Sequence, residues 1–343
     1  MKLRKAISLM LLVLSLCPFI FMGAVEARAP TIKDARKHAE DMLLPVEGVV
    51  GISHREYPPK IIVYIEHEKY RSKVPSKIDG FATETKVIGA VKALSLLQLE
   101  TVKPYYTYTN TINRASVVRP IVGGISLGVP VEVYGGKMAG TLGIVTKDGY
   151  ILSCAHVIAM NIIAQFPPSN QMGAQMATRF AVIQPGTYDG GTIKDKVGFL
   201  YRYTRITFGP RSVNYADAAI AKVTIPNYVA GEVLDSDNKN TYTISGTVEV
   251  NVGDSVRKSG RTTGVTVNIV FDTSATVKVW YGPYRWAIFY DQILVYQPFV
   301  SGGDSGSLVD KNGAFVGLAF AGSDAVAVVC KAKYIINALG IKI

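Results

Sequence analysis

Cysteine and histidine are scarce in this chain, three and four among 343 residues. That scarcity excludes a disulfide-stapled scaffold, and no metal centre or cofactor is expected. Charged residues are only 18% against 48% hydrophobic, which excludes an intrinsically disordered chain and a polar repeat array. No repeat period appears, so a propeller or solenoid is not expected. The formal charge of +11 comes without an arginine-rich run, zinc finger or RNA-binding motif, and nucleic acid is not an expected partner. What the chain does have is 32 Gly, 16 Pro and 19 Tyr, a turn-rich and aromatic profile that leans towards β structure.

Lys2, Arg4 and Lys5 precede an uncharged run over residues 6–25, with small residues at Ala24, Ala27 and Ala29 behind it. Residues 1–29 are expected to be a secretory signal peptide or, because the run is long, a membrane anchor. The protein is therefore expected to be secreted or extracellular, with membrane anchoring through residues 6–25 as the alternative. Removing residues 1–29 takes away four positive charges and one negative and leaves +8, which reads as a solvated basic face. Cys154 and Cys330 remain beyond it, either paired or as buried thiols.

Thr31 to Leu44 has apolar residues at helical spacing behind a Thr cap. Strand-like runs follow at 48–53, 60–66 and 83–93, so residues 30–95 are expected to form a small α/β domain. Its His38, His54 and His67 lack ligand spacing and are expected at the surface. Residues 96–116, rich in Tyr and Thr, read as an extended linker. From Val117 to Ile343 short apolar runs alternate with Gly, Asn and Asp turns, which suggests a β-barrel or sandwich of about 225 residues.

Three segments of this β region carry chemistry. Ser301-Gly302-Gly303-Asp304-Ser305-Gly306-Ser307 surrounds a serine with glycines, so backbone N–H groups can converge on one oxygen while the hydroxyl stays accessible. Leu152-Ser153-Cys154-Ala155-His156-Val157 places a histidine at the end of a strand. Asn214-Tyr215-Ala216-Asp217-Ala218 puts an acid at the start of another. A serine hydroxyl needs a base with a pKa near 7, and that base needs an acid to hold its tautomer. Asp189 and Asp195 also lie between His156 and Ser305; Asp217 is preferred for the apolar strand that follows it.

Ala155-His156, Asp217-Ala-Ala-Ile-Ala and Gly303-Asp304-Ser305-Gly306, in this order, resemble the three motifs of chymotrypsin-like (trypsin-like) serine proteases. Further stretches similar to that family are Gly140-Thr-Leu-Gly143 and Gly317-Leu-Ala-Phe-Ala-Gly322-Ser323. Ile183-Gln-Pro-Gly-Thr-Tyr-Asp-Gly-Gly191 and Val256-Arg-Lys-Ser-Gly-Arg-Thr-Thr-Gly264 look similar to an uncharacterised prokaryotic branch whose members also tend to carry a small N-terminal α/β unit. The resemblance implies a mainly β fold, a chymotrypsin-like double Greek-key β-barrel over 117–343 preceded by the small α/β domain. It implies Ser305 as nucleophile, His156 as base, Asp217 as orienting carboxylate and the N–H groups of Gly303 and Ser305 as oxyanion hole. Asp304 would hold the loop, while Phe299 and Gly322 would shape the specificity pocket. With no acid at the pocket floor, cleavage after Arg or Lys is not implied, and an apolar or small residue is favoured.

Two departures matter. Ile121-Val122-Gly123-Gly124 copies the mature N-terminus of animal members, whose freed amine pairs with the acid before the nucleophile; behind Pro120 it reads instead as an ordinary strand start. The usual Cys after the histidine is Val157. The expected activity is that of an exported serine endopeptidase acting on protein or peptide substrates through an acyl-enzyme. The rivals are a catalytically silent binding or scaffold protein on the same fold, and an esterase or acyltransferase using the same three residues. The trio Trp280, Tyr281 and Trp286 belongs to an aromatic hairpin, read as packing or as a substrate platform.

Overall fold

The computed structural model describes residues 29–94, 96–97, 111–167 and 180–343. The expected signal segment lies outside these residues. Among the described residues no helix is long and apolar enough to cross a membrane.

Two closed β rings dominate. The first is built from Ile125–Leu127, the run Met138–Leu142 continued by Ile144–Val145, Tyr150–Ser153, Ala181–Ile183, Lys196–Tyr203 and Ala219–Val223. Neighbouring strands pair antiparallel, and the bridge between Gly128 and Ile183 closes the ring. The second is built from Ser255–Gly260, Gly264–Gly282, Arg285–Tyr296, Leu308–Lys311, Ala314–Gly322 and Val326–Lys331. It closes through antiparallel pairing of Ser255–Gly260 with both Gly264–Gly282 and Leu308–Lys311. Numbering strands along the chain within each ring, both run first, second, third, sixth, fifth, fourth and back to first. Closure leaves each barrel with no free edge, and apolar residues fill both interiors.

The N-terminal segment holds a helix followed by strands. Helix Ile32–Leu43 starts at a capping box, in which Thr31 accepts from the Asp34 N–H and Asp34 reaches back to the Thr31 N–H. Its buried face, Ala35, Ala39 and Leu43, packs on strands Val49–Glu56 and Pro59–Ile65. The unit is not free-standing, however. Val49–Glu56 pairs with the long strand Gly264–Gly282 at Gly51–Val277 and Ile52–Thr276, so its sheet continues that of the second barrel. Ile288, Trp286 and Tyr290 from the barrel hairpin complete its core. Arg36 hydrogen-bonds the Ser274 carbonyl (2.6 Å) and Thr276 Oγ1 (3.0 Å), and the buried Tyr64 hydroxyl donates to Asp272 (2.5 Å).

Other local expectations change for the same reason, that distant segments cover one another. His54 is half-buried beside Arg36 Nη1 at 3.2 Å rather than a surface residue, and burial with that cation pushes its pKa down. The end of the linker is not solvated either. Arg114 is buried and donates to Gly124 O (2.9 Å), Ser259 Oγ (2.7 Å), Leu234 O (3.2 Å) and Asp235 O (2.8 Å). It ties the two barrels and the chain between them, with carbonyls answering the guanidinium. Residues 98–110 of that linker lie outside the described residues.

Candidate active site

The loop before strand Leu308–Lys311 is shaped by two glycines in left-handed backbone, Gly303 (φ 92°) and Gly306 (φ 90°). A Cβ on Gly306 would collide with Ser153 Oγ and lie 2.5 Å from Thr141 O, so this turn needs glycine. Asp304 fixes the loop from below. Its buried carboxylate accepts from Thr262 N (2.9 Å), Thr263 N (3.2 Å), Thr263 Oγ1 (2.6 Å) and Ser301 N (2.9 Å). The Lys258 ammonium, also buried, stands 3.4 Å away. Burial pulls that lysine down to about 8, with Asp304 opposing the fall. Ile121 is buried in strand Ile121–Gly123 with its N–H donating to Asn227 O, as an ordinary strand start, and Lys258 supplies the cation that Asp304 faces.

From the first barrel, strand Tyr150–Ser153 leads into the helical turn Ala155–Ile158, which presents His156. Asp217 precedes strand Ala219–Val223, paired alongside. Asp217 Oδ1 accepts from the His156 backbone N–H (3.1 Å) and Oδ2 lies 2.5 Å from His156 Nδ1. His156 Nε2 lies 2.7 Å from Ser305 Oγ, which also approaches Phe320 O at 3.3 Å. All three side chains are fully buried. A carboxylate at Nδ1 puts the proton there and leaves Nε2 to accept from the serine, which is what a hydroxyl nucleophile requires. The competing acids are engaged elsewhere: Asp189 pairs with Arg261 and Ser126, and Asp195 caps Thr192.

A fourth group went unrecognised in the sequence. The Tyr281 hydroxyl donates to Asp217 Oδ2 at 2.8 Å, and its ring stands edge-on to His156 with centroids 5.8 Å apart. Burial and the facing carboxylate push the phenol pKa far up, so it stays a donor. Its place in an aromatic hairpin was the available signal, but only the register of Gly264–Gly282 turns it to the acid. Tyr281→Phe leaves a buried carboxylate lone pair unanswered and should lower stability by about 1–3 kcal/mol in urea unfolding. An unchanged midpoint would mean that this bond contributes nothing.

Cys154 and Cys330 are both free and buried. Burial pushes the Cys330 thiol up to about 12 and the Cys154 thiol well above its ordinary value. Donor atoms of Cys154, His156 and Asp217 lie within 4.8 Å of one another. Yet both imidazole nitrogens are already engaged and the thiol stays protonated, so this trio fits a hydrogen-bonded chain better than a set of metal ligands.

Phe299 is buried in the apolar cluster with Val300, Ala319 and Ala327, against which Leu94 packs. Gly322 ends strand Ala314–Gly322, between Ala327 and Lys92. Of the two N–H groups implied as oxyanion donors, that of Gly303 donates to the Leu94 carbonyl at 2.6 Å.

No protein-family model and no curated protein matches the chain. Solved structures do resemble it. A glutamic acid-specific serine protease described as using a histidine triad in substrate binding is 20% identical, with TM-score 0.45, over 65% of this chain and 100% of its own. The chymotrypsin of Cellulomonas bogoriensis is 15% identical, with TM-score 0.44, over 65% of this chain and 97% of its own. Protease A of Thermobifida fusca is 16% identical, with TM-score 0.43, over the same shares. Two closed rings of the same strand order, with His156 and Asp217 on one and Ser305 on the other, give this chain a mainly β, chymotrypsin-like fold.

Proposed function

We propose that the protein is an exported serine endopeptidase working through Ser305, His156 and Asp217. One observation carries the reading: the unbroken chain Asp217–His156–Ser305, with contacts of 2.5 and 2.7 Å, in residues drawn from two barrels. In this reading Ser305 Oγ attacks a peptide carbonyl while His156 Nε2 takes its proton. Asp217 stabilises the imidazolium that results, and the Gly303 N–H faces the oxyanion. His156 passes the proton to the leaving amine, and water hydrolyses the acyl-enzyme by the same route reversed. The residues need no cofactor for this sequence. The buried apolar surroundings of Phe299 suit an uncharged side chain before the cut bond.

The test is incubation of the full chain with a fluorophosphonate and with casein. Wild type should label and cut, and Ser305→Ala should do neither. A wild-type chain that neither labels nor cuts overturns the enzyme reading in favour of a silent scaffold. One that turns over esters but no peptide would be an esterase.

A further inference from the structure

Two stretches singled out in the sequence, residues 183–191 and 256–264, supply no member of the triad, yet the fold brings them together. The turn Thr187–Asp189 follows strand Ala181–Ile183 of the first barrel. Residues 261–263 turn between Ser255–Gly260 and Gly264–Gly282 of the second. Asp189 and Arg261 meet there, across the seam between the barrels. Arg261 Nε donates to Asp189 Oδ2 at 2.9 Å, and Nη2 donates to Oδ1. The two side chains are 12% and 5% exposed, Arg261 first, so water competes little for either. A guanidinium held at two of its donors by one carboxylate is fixed in direction as well as in distance.

Both ends of the pair are anchored. Asp189 Oδ2 also accepts from Ser126 Oγ at 2.6 Å, and that hydroxyl oxygen accepts from the Gly186 N–H at 3.0 Å. Thr187 Oγ1 accepts from the Met138 N–H (2.9 Å) and donates to Met138 O (3.2 Å), which staples the turn to strand Met138–Leu142. From the same strand, Thr141 Oγ1 accepts from the Arg261 N–H at 3.0 Å and donates to Gly303 O at 2.9 Å. Residues 261–263 then reach the reacting loop directly. Thr262 Oγ1 donates to Gly302 O at 2.7 Å, and the Thr262 N–H donates to Asp304 Oδ1 at 2.9 Å. The Gly302 carbonyl and the Gly303 N–H belong to one planar trans peptide unit, so they point opposite ways. Holding that carbonyl at Thr262 turns the N–H to the far side, where it already donates to the carbonyl oxygen of Leu94. Between two glycines, no side chain resists rotation of this unit.

Resting on the serine-protease reading, we propose that Asp189 and Arg261 are positioning residues for the oxyanion donor. Their pair fixes residues 261–263 against the first barrel, and the Thr262 hydroxyl passes that placement to the Gly302–Gly303 peptide. Neither charge touches the reacting atoms. What they supply is direction: a Gly303 N–H that faces the developing oxyanion before substrate arrives, at no cost in reorganisation during the reaction. Because Asp189 stands on the barrel that carries His156, the pair also ties the oxyanion donor to the base. The two must move together if Ser305 is to find both at once.

The test measures kcat and KM of the full chain on a leucine-ended peptide p-nitroanilide. It also measures affinity for the matching peptide aldehyde, whose hemiacetal oxygen needs the Gly303 N–H. Asp189→Asn and Arg261→Met should each lower kcat about 30-fold with KM within about twofold, less than the outright loss of an oxyanion donor. Aldehyde affinity should fall by the same factor as kcat/KM, and the double variant should be no slower than the slower single one. Thr262 is exposed, so its substitution spares the fold and decides the matter even where the pair variants do not fold. Thr262→Val should lower kcat about tenfold, and Thr262→Ser, which keeps the hydroxyl, should restore it. A wild type that turns over while the pair variants or Thr262→Val keep its kcat overturns this proposal and spares the protease reading. So does a rise in KM at constant kcat, or a double variant whose losses multiply. A wild type that neither turns over nor labels with a fluorophosphonate brings both down.

Discussion

Asp217→Asn is expected to lower kcat about 10⁴-fold while leaving the barrels folded. The direction follows from the donors around the carboxylate. Oδ1 faces the His156 backbone N–H, a donor that cannot change its role. Oδ2 faces His156 Nδ1 and the Tyr281 hydroxyl, and both of these can reverse. An asparagine therefore keeps its carbonyl oxygen on the backbone N–H and turns its NH₂ to Oδ2's place. His156 must then accept at Nδ1, which moves its proton to Nε2, facing Ser305. A serine hydroxyl facing an N–H has no base. Single-turnover kinetics would show the loss in acylation with substrate binding little changed. A loss under tenfold would mean that Asp217 does not set the tautomer, and the roles given to these residues would have to be withdrawn.

How much of this was legible in the sequence depends on the range of the interaction involved. Helix Ile32–Leu43 and its Thr31 cap are local, encoded within one turn and one apolar stripe, and were readable. The strands around Gly140, Tyr150, Ala218 and Ala314 were readable from short apolar runs between turn residues. His156, Asp217 and Ser305 could be named because each sits in a short motif, and the motifs keep one order along the chain. The pairing of Val49–Glu56 with Gly264–Gly282 could not, because an edge strand's backbone groups do not specify their partner. Arg114 looked like part of a polar linker, since the oxygens that answer it, on Gly124, Leu234, Asp235 and Ser259, are distant from it in the sequence. Tyr281 and Leu94 were missed for a related reason. A tyrosine in an aromatic hairpin and a leucine before a linker are ordinary; their meaning comes from the register of one long strand and from the pairing of Lys92–Ala93 with the end of Ala314–Gly322. The terminal helix Ala332–Leu339 was also missed, its start continuing directly from strand Val326–Lys331.

Asp304→Ala should be the most damaging single change to stability away from the reacting atoms, by about 3–5 kcal/mol in urea unfolding. It strips the Lys258 ammonium of the buried charge beside it and orphans the N–H groups of Ser301, Thr262 and Thr263 together. Lys258→Met should cost less, because Asp304 keeps those donors and the Thr263 hydroxyl. The double change should cost less than the sum, as expected for residues of one network. pH separates the lysine's part. Its folded pKa, about 8, lies below the ordinary 10.5. Between these values the unfolded chain holds a proton that the folded chain has released, so this group makes stability rise with pH across that window. Below it both states are charged, and above it both are neutral. The stability difference between wild type and Lys258→Met should therefore widen from pH 8 towards 10.5 and stay level below 8. A difference that narrows over the same range would show that the ammonium is favoured in the fold, and that Asp304 holds it more strongly than burial opposes it.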